Sequence, residues 1–587
     1  MKHRRKIHQV RRTTIAALVC ALCAGQALAY NTELEDGTKL ISTTSISWGG
    51  QWRANDALAP LYGPAYGGVS GSSGNDDGNL NYKKHDMVSN VVKLVADVEL
   101  KKDNYGGLVR AKAWYDYNWE KKSVPHGNSV NGYAPGPLSD KGFAREAQFS
   151  GVALLDAYVY RNFHLENSDL SVRVGKQVLN WGESTFFQGI NTTSPLDVPA
   201  LRRPGAQVKE GLIPVETAYF NWTPNKNLPS LEGFYQWKFR PFVIDGCGTY
   251  FSSADLGIDN TCIASANLGP ALAAPDNFGF SMQHVPNRLA KNSGQYGLAT
   301  HYQVESIDTQ LGAYATNLHS GIPIFSAFTS DGALHPGLTQ LTNLKYMFEY
   351  PEDVKRYGLT LATTFTSGWS LGMELSHSPN LPAQINGVDM FWAAVGSGLG
   401  PLGPQYFGAA DNTAMRGYNR VAQSQLLVNT MKLLPPMLGA SGGMFLAEFG
   451  YQHASIADPN SPGAVRYGRS FNYGANIGPI CPSTVPGQCS NDGYATPNSY
   501  GYRLYGQLNF NTEMGITVKP GVYFAHDLKG WSVDGQLNEK RQMLGLALRL
   551  ERAALWAEIT YIGFNRSATY DDGRDRAFYG LSAGYSF

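Results

Sequence analysis

The sequence predicts an all-β fold, a transmembrane antiparallel β-barrel of about 18 strands, with 16 as the alternative count. Three observations carry this reading. Apolar and polar residues alternate with a period of two from one end of the chain to the other. An export leader opens the chain, and no apolar run of about 20 residues follows it to make a membrane helix. The chain closes on Tyr579, Leu581, Ala583, Tyr585 and Phe587, alternating with Gly580, Ser582, Gly584 and Ser586.

Composition agrees. The 587 residues carry 48 Lys+Arg against 47 Asp+Glu, a formal net charge of +1. Only 16% are charged and 43% are hydrophobic, with 65 Gly, 33 Tyr, 26 Phe and 11 Trp. A soluble chain carries about 25% charged residues. Disorder is excluded, because it needs low hydrophobicity and high net charge. No nucleic-acid partner is expected, because counterion release needs a basic surface. One pattern runs throughout, so residues 30–587 read as a single barrel domain.

Residues 1–29 form a secretory signal peptide. Lys2, Arg4, Arg5, Lys6, Arg11 and Arg12 lead into an apolar run that ends at Ala27-Leu28-Ala29, an A-x-A cleavage pattern. Thr13-Thr14-Ile15 after Arg11-Arg12 fits a twin-arginine signal poorly, so general secretion is favoured. Four cysteines remain beyond the leader: Cys247, Cys262, Cys481 and Cys489. They fall as two close pairs in Gly/Pro/Asn-rich segments. Two local disulfides are the natural reading in an oxidising compartment, although three pairings are possible. No metal site is expected of them.

Strands are justified in order by two-faced alternation. In 90–101, Val92, Leu94, Ala96, Val98 and Leu100 oppose Lys93, Asp97, Glu99 and Lys101. In 107–119, Val109, Ala111, Ala113, Tyr115, Tyr117 and Trp119 oppose Arg110, Lys112, Asp116 and Asn118. Residues 444–452 set Phe445, Ala447, Phe449 and Tyr451 against Glu448 and Gln452, and 502–510 set Leu504, Leu508 and Phe510 against Arg503 and Gln507. Residues 543–550 set four leucines against Arg549. In a barrel the apolar face meets lipid and the polar face a wet lumen. The other strands are placed at 39–53, 150–163, 169–179, 214–223, 231–242, 294–304, 308–318, 355–366, 369–378, 421–433, 514–526, 554–564 and 576–587.

Sidedness supports the count. With both termini periplasmic, links such as 102–106 and 511–513 are short turns. The segments 54–89, 120–149, 180–213, 243–293, 319–354, 379–420 and 454–498 then all become extracellular loops. Residues 344–353 would break this pattern as a strand, so they are placed in a loop that folds back or packs into the lumen. Tyr585 and Phe587 resemble the C-terminal signal read by the barrel assembly machinery of Gram-negative outer membranes.

Several motifs carry a family resemblance over essentially the whole mature chain. They are Gly175-Lys176-Gln177, Trp181-Gly182-Glu183-Ser184, Asn191, Pro195, Leu201-Arg202-Arg203-Pro204-Gly205, Lys209-Glu210, Tyr350-Pro351-Glu352-Asp353 and Glu374-Leu375-Ser376-His377-Ser378-Pro379-Asn380. The chain resembles a family of exported Pseudomonas-type proteins known as a domain of unknown function. The resemblance implies an outer-membrane barrel, with an inner-membrane exporter system or catabolic genes for hydrophobic compounds nearby. It supplies no substrate and no catalytic residues.

The segment 180–213 is the candidate constriction loop and substrate path. It holds Trp181, Glu183, Asp197, Arg202, Arg203, Lys209 and Glu210, with Pro195, Pro199, Pro204 and Pro214 limiting its freedom. Charged rings at a narrow point select solutes by sign and size. The same charges can instead fix the loop to the wall, and both roles are compatible. Expected wall partners are Arg110, Lys112, Asp116, Arg173, Glu448, Arg503, Arg549 and Glu558. Phe186, Phe187, Phe391 and Trp392 offer an apolar mouth for a hydrophobic ligand, or simply pack loops together.

Catalysis is not expected. H-E-x-x-H and G-x-S-x-G are both missing, and neighbours His319 and Ser320 would point to opposite faces of a strand. No catalytic residue, cofactor or metal is assigned. Asn75-Asp76-Asp77-Gly78-Asn79 lacks the closing Glu of a calcium loop and reads as a flexible outer turn. The expected function is passage of a small hydrophobic or amphipathic solute down its gradient. Outer-membrane lipid and lipopolysaccharide would surround the barrel. The rival is a barrel without an open pore, serving an export or lipid-trafficking assembly or surface adhesion.

Overall fold

The computed structural model describes residues 30–587 apart from 73, 75, 226, 257–261, 263–281, 331–343 and 478–484. The leader 1–29, Asn75 and Cys481 lie outside the described residues.

Eighteen of the nineteen strands in the main sheet close into a ring. In chain order they begin with β1 (Lys39–Arg53), β2 (Met87–Lys102), β3 (Tyr105–Asp116), β4 (Ser150–Leu165), β5 (Ser168–Gln177) and β6 (Val215–Pro224). Next come β7 (Ser230–Gln236), β8 (Gln295–Val304), β9 (Thr309–Leu318), β10 (Val354–Thr364), β11 (Trp369–Gln384) and β12 (Tyr418–Leu434). The last are β13 (Gly442–Ala454), β14 (Asn498–Asn511), β15 (Thr517–Lys529), β16 (Gln542–Arg552), β17 (Leu555–Phe564) and β18 (Phe578–Ser586). Neighbours pair antiparallel, and β18 pairs with β1 to close the ring. Closure removes the edge groups that an open sheet would leave unpaired. At the seam the Thr44 N–H donates to the Phe587 carbonyl at 2.6 Å, and the Phe587 N–H donates back at 2.7 Å. The nineteenth strand, Tyr30–Glu33, pairs antiparallel with the start of β1.

Long and short connections alternate as expected, and both ends of the ring start from the short-turn side. Outward side chains are apolar. Val109, Leu298, Leu359, Leu548 and Ile559 are all exposed on the outer face. Tyr115, Tyr296 and Tyr357 stand near the long-loop rim, and Tyr105 and Tyr302 near the short-turn rim. Two aromatic rings bounding an apolar band are the outer surface of a barrel sized for a bilayer.

Several strand limits differ from expectation. Strand β3 stops at Asp116, because that side chain accepts hydrogen bonds from the N–H groups of Asn118 and Trp119 and caps the short helix Tyr117–Lys121. Asp116 is therefore a buried capping group at the rim, which also accepts from Ser89 Oγ at 2.5 Å, and it does not line an open lumen. Tyr117 and Trp119 leave the wall with it. Strand β7 ends at Gln236, six residues short of the expected limit, whereas β11 runs on to Gln384 through an irregularity between Ser378 and Leu381. Prolines at 379 and 382 obscure that extension in the sequence.

The long connections build cores of their own. Lys345–Glu349 is a strand, but of a separate four-stranded sheet formed with Gln283–His284, Ile324–Phe328 and Ala414–Met415. Residues 344–353 thus belong to a loop, as their sidedness required. Phe391 is buried in the core beside this sheet and Trp392 packs against it, so this pair is loop packing rather than an open mouth. A second core gathers Tyr82, Trp119, Phe143, Phe149 and Tyr250 around Cys247 and Cys262, which form a disulfide. Cys489 is also disulfide-bonded. Asp77–Leu80 is a short buried helix rather than a flexible outer turn.

Candidate functional site: a loop strapped across the lumen

The connection from β5 to β6 turns inward at Leu179 and crosses the lumen twice. Its first half is held by backbone donors on wall carboxylates. Glu448 of β13 accepts the N–H groups of Thr185, Phe186 and Phe187 at 2.9, 2.6 and 3.0 Å. Glu374 of β11 accepts those of Glu183 and Ile190 at 3.1 and 2.7 Å. A compact turn exposes several N–H groups on one side, and an ionised carboxylate satisfies them more strongly than a neutral acceptor would. Glu232 of β7 accepts from the Trp181 indole at 3.0 Å and from Tyr219 Oη at 3.0 Å. Trp181 itself packs on Phe234 and Tyr314, with ring centroids 4.8 and 5.7 Å away.

Donors on the wall take the loop's carbonyls. Asn429 of β12 donates to Glu183 O at 2.5 Å and Gln425 to Gln188 O at 3.0 Å. Arg356 of β10 donates to Gly189 O and, at 3.1 Å, to Thr192 Oγ1. The β15–β16 connection reaches the same place. Gln536 accepts from Gln188 N at 2.6 Å and donates to Gln188 O at 3.1 Å.

The second half returns to the opposite wall and is held by ion pairs. Lys112 of β3 meets Asp197 at 2.6 Å, both nearly fully buried. Lys93 of β2 meets Glu210 at 2.9 Å and donates to Gly205 O at 2.8 Å. Lys209 meets Asp97 at 3.1 Å, and Asp97 also receives Arg110. Asp197 caps the short helix Val198–Arg202 by accepting from Ala200 N. Gln51 of β1 donates to Arg202 O at 2.8 Å. Arg203 is buried against the Trp114 ring, 4.7 Å from its centroid, and donates to the carbonyls of Glu146 and Gln148. Arg202 points away to Asp245, in the β7–β8 connection, and to the Phe251 ring.

Every candidate constriction residue therefore lies on or beside this strap, and most of its charges are spent on the wall. Glu183 differs: it is partly exposed, and burial with the Glu374 charge beside it pushes its carboxyl up. Asp245 is pushed up by burial, against the pull of Arg202 and Arg203. Of the expected wall partners, Arg110, Lys112 and Glu448 touch the strap or its anchors. Arg503 lies over the Phe187 ring at 4.5 Å and pairs with Asp527 at 2.6 Å. Arg173 instead stacks on Tyr219 at 4.3 Å. Arg549 and Glu558 pair with each other at 3.5 Å, and Arg549 also pairs with Glu551. Phe187 is buried, and Phe186 packs edge-on to Tyr523 at 5.3 Å.

Sequence reasoning missed Glu232, Glu374, Arg356 and Gln536. The first three share the inward register of their strands, and Glu374 stands between the small residues Gly372 and Ser376. That contrast was the available signal. Gln536 sits in a connection short enough to read as a plain turn.

Beyond the strap, a cavity of about 1030 Å³ opens toward the long loops. Its lining includes Tyr523, Met543, Ile562, Phe564, Phe578 and Trp531, with Arg503 and Arg541 among the polar groups. Asp527 joins the two arginines from below, 2.8 Å from Arg541. Among the described residues, the side chains able to hold a metal are Asp76, Asp77 and His126, with ligand atoms within 4.8 Å of one another. Asp77 and His126 already lie at 2.6 Å, ion-pair distance, and the group is in the outer loops away from the strap.

These features define a closed antiparallel barrel of eighteen strands whose lumen is crossed by an anchored internal loop. The chain belongs to the family described as "Protein of unknown function (DUF1302)", whose model matches residues 10–587, in agreement with the resemblance carried by the motifs. No curated protein matches it in sequence. Among solved structures it is similar to OccAB1 of Acinetobacter baumannii, at 8% identity and a TM-score of 0.40, over 96% of this chain and 99% of that one. It is also similar to a BenF-like porin from Pseudomonas fluorescens Pf-5, at 10% identity and a TM-score of 0.38, over 95% and 99%.

Proposed function

We propose that the protein is an outer-membrane channel for a small hydrophobic or amphipathic solute, with the 180–213 loop as its constriction. The cavity beyond the strap carries this reading. Its lining sets aromatic and aliphatic side chains such as Tyr523, Met543, Ile562 and Phe564 beside arginines and aspartates such as Arg503, Arg541, Asp527 and Asp571, which suits a solute with an apolar body and a polar end. The solute enters past the long loops, rests in this cavity, passes the strap and leaves down its gradient. The outward apolar band and aromatic rings support a bilayer setting, in contact with outer-membrane lipid and lipopolysaccharide. Delivery through the signal peptide and the barrel assembly machinery, acting on Tyr585 and Phe587, belongs to the same reading.

Two measurements test it. Deleting 186–203 should raise the single-channel conductance of the purified protein in a planar bilayer several-fold. Leu548→Arg, on the outer face, should destabilise the bilayer-inserted protein by about 2–4 kcal/mol. The same substitution should change little if that face meets water, and equilibrium unfolding from vesicles separates the two.

The ion pairs of Lys93 with Glu210 and Lys112 with Asp197 favour a second reading. A strap so firmly tied suits a barrel that serves an export or lipid-trafficking assembly, or adhesion, without an open pore. Absence of conductance in both the intact and the deleted protein would select it. We read neither form as an enzyme. His319 accepts from Asp353 N at 3.0 Å and places its other ring nitrogen 2.9 Å from Ser293 O, while Ser320 donates to Ile322 O. Such a histidine is in no position to activate that serine.

A further inference from the structure

The strap does not cover the lumen wall evenly, and the inward glycines record where it lies. A methyl group on Gly450 of β13 would meet Phe187 at 3.0 Å, one on Gly297 of β8 would meet Trp181 at 2.7 Å, and one on Gly49 of β1 would meet Pro204 at 2.5 Å. On Gly358 of β10 it would collide with Ile190. At Gly450, Gly49 and Gly358 the nearest obstacle belongs to the loop, and at Gly297 Trp181 shares the space with Phe234 of the wall. The arc from β15 to β17 behaves differently. A methyl on Gly521 of β15 would find its nearest atom at 3.6 Å, the Tyr505 hydroxyl, followed by Gly506 and Ala547. On Gly545 of β16 it would meet Ile562 and Tyr523 at 3.1 and 3.3 Å. These obstacles are wall atoms only, as they also are at Gly312 of β9 and Gly372 of β11, but there a methyl would collide with the wall at Gly312 and meet it at 2.7 Å at Gly372, whereas Gly521 has open space to 3.6 Å.

Two loop contacts bracket this arc. Phe186 reaches Tyr523 of β15 on one side. On the other, Gly205 lies 3.1 Å from Trp556 of β17, measured from the position its own Cβ would take. Between them the inward positions are Gly521, Gly545, Ala547 and Thr560, which are adjacent in register. The cavity beyond the strap reaches the same strands through Tyr523, Ala525, Met543 and Ile562. Toward the short-turn end the arc continues into Lys519, Glu551, Arg549 and Glu558, whose charges are paired with one another.

We infer that the solute passes the strap through this one-sided gap, and that the small side chains at Gly521, Gly545 and Ala547 set the size of what passes. The inference rests on the channel reading and locates its route. Above the gap the cavity offers aromatic and aliphatic contacts beside arginines and aspartates, and below it the wall carries a set of paired charges. A solute with an apolar body and a polar end is therefore held on the cavity side and released on the other. Its bulk is limited by the wall rather than by charge on the loop.

The test is single-channel recording of the full chain with Gly521→Trp and Ala547→Trp, against Gly506→Trp. Gly506 lies on β14 in the outward register and has nothing within 4 Å of an added Cβ. Heat-modifiable migration on gels reports that each variant is folded. A second measurement needs no current: labelling of Ala547→Cys by a charged, membrane-impermeant maleimide. The inward tryptophans should each lower conductance about five-fold or more, Gly506→Trp should keep the parental value, and Ala547→Cys should label. Parental conductance in both inward variants would overturn the route and leave the channel reading standing. If the parent itself is silent, the channel reading falls. Labelling of Ala547→Cys would then still support a water-filled gap at this arc, and failure to label would overturn that as well.

Discussion

Glu448→Ala should raise single-channel conductance more than any other single wall substitution, and should make the 181–192 segment accessible to protease added from the long-loop side. One carboxylate, 1% exposed, accepts three consecutive backbone N–H groups. Hydrogen bonds to a charged group contribute about 1.5–3 kcal/mol each. Their loss frees Thr185, Phe186 and Phe187 together and takes Phe186 off Tyr523. Glu448→Gln keeps one acceptor oxygen and should give an intermediate conductance. Unchanged current in both variants would mean that Glu374 and Gln536 hold the loop without help.

Lys112→Ala should be the most destabilising change on the opposite wall, by about 3–5 kcal/mol, the usual effect of stranding one partner of a buried ion pair. Asp197 is 1% exposed and would keep its charge in a place water does not reach. The companion experiment separates charge from shape. Lys112→Met with Asp197→Asn removes both charges, fills the space of the lysine stem, and leaves a side-chain oxygen to cap Val198–Arg202. That double variant should recover most of the loss when unfolding of the barrel is followed by denaturant. A double variant no better than Lys112→Ala would show that the attraction itself, rather than avoidance of a stranded charge, holds this half of the strap.

Most of the barrel was legible because alternation with a period of two is a direct image of a two-faced wall. Lys93, Asp97, Arg110, Lys112, Glu448 and Arg503 all face inward as their register required. Limits failed where side chains rather than periodicity decide. Asp116 ends β3 by capping a helix, although Tyr117 and Trp119 continue the apolar pattern. The 180–213 segment was readable from its charges and prolines as a loop between two strands, and the structure lays it across the lumen. What it touches was not readable, because Glu374, Glu232 and Arg356 come from strands separated from it by up to nearly two hundred residues. Their contacts depend on the curvature of the closed ring. The route past the loop was invisible for the opposite reason: glycine and alanine on a strand leave no signature except in three dimensions.

The strap springs from between β5 and β6, is fastened to β10–β13, and is fastened again to β1–β3. Such a member is a tie-rod across a hoop. A hoop of paired strands resists stretching but ovalises easily, and a rod between well-separated points of its rim stiffens it against that deformation. Glu448 and Lys93 come within reach of one loop only when the hoop is nearly round, so both ends of the rod are fastened together only in a closed ring.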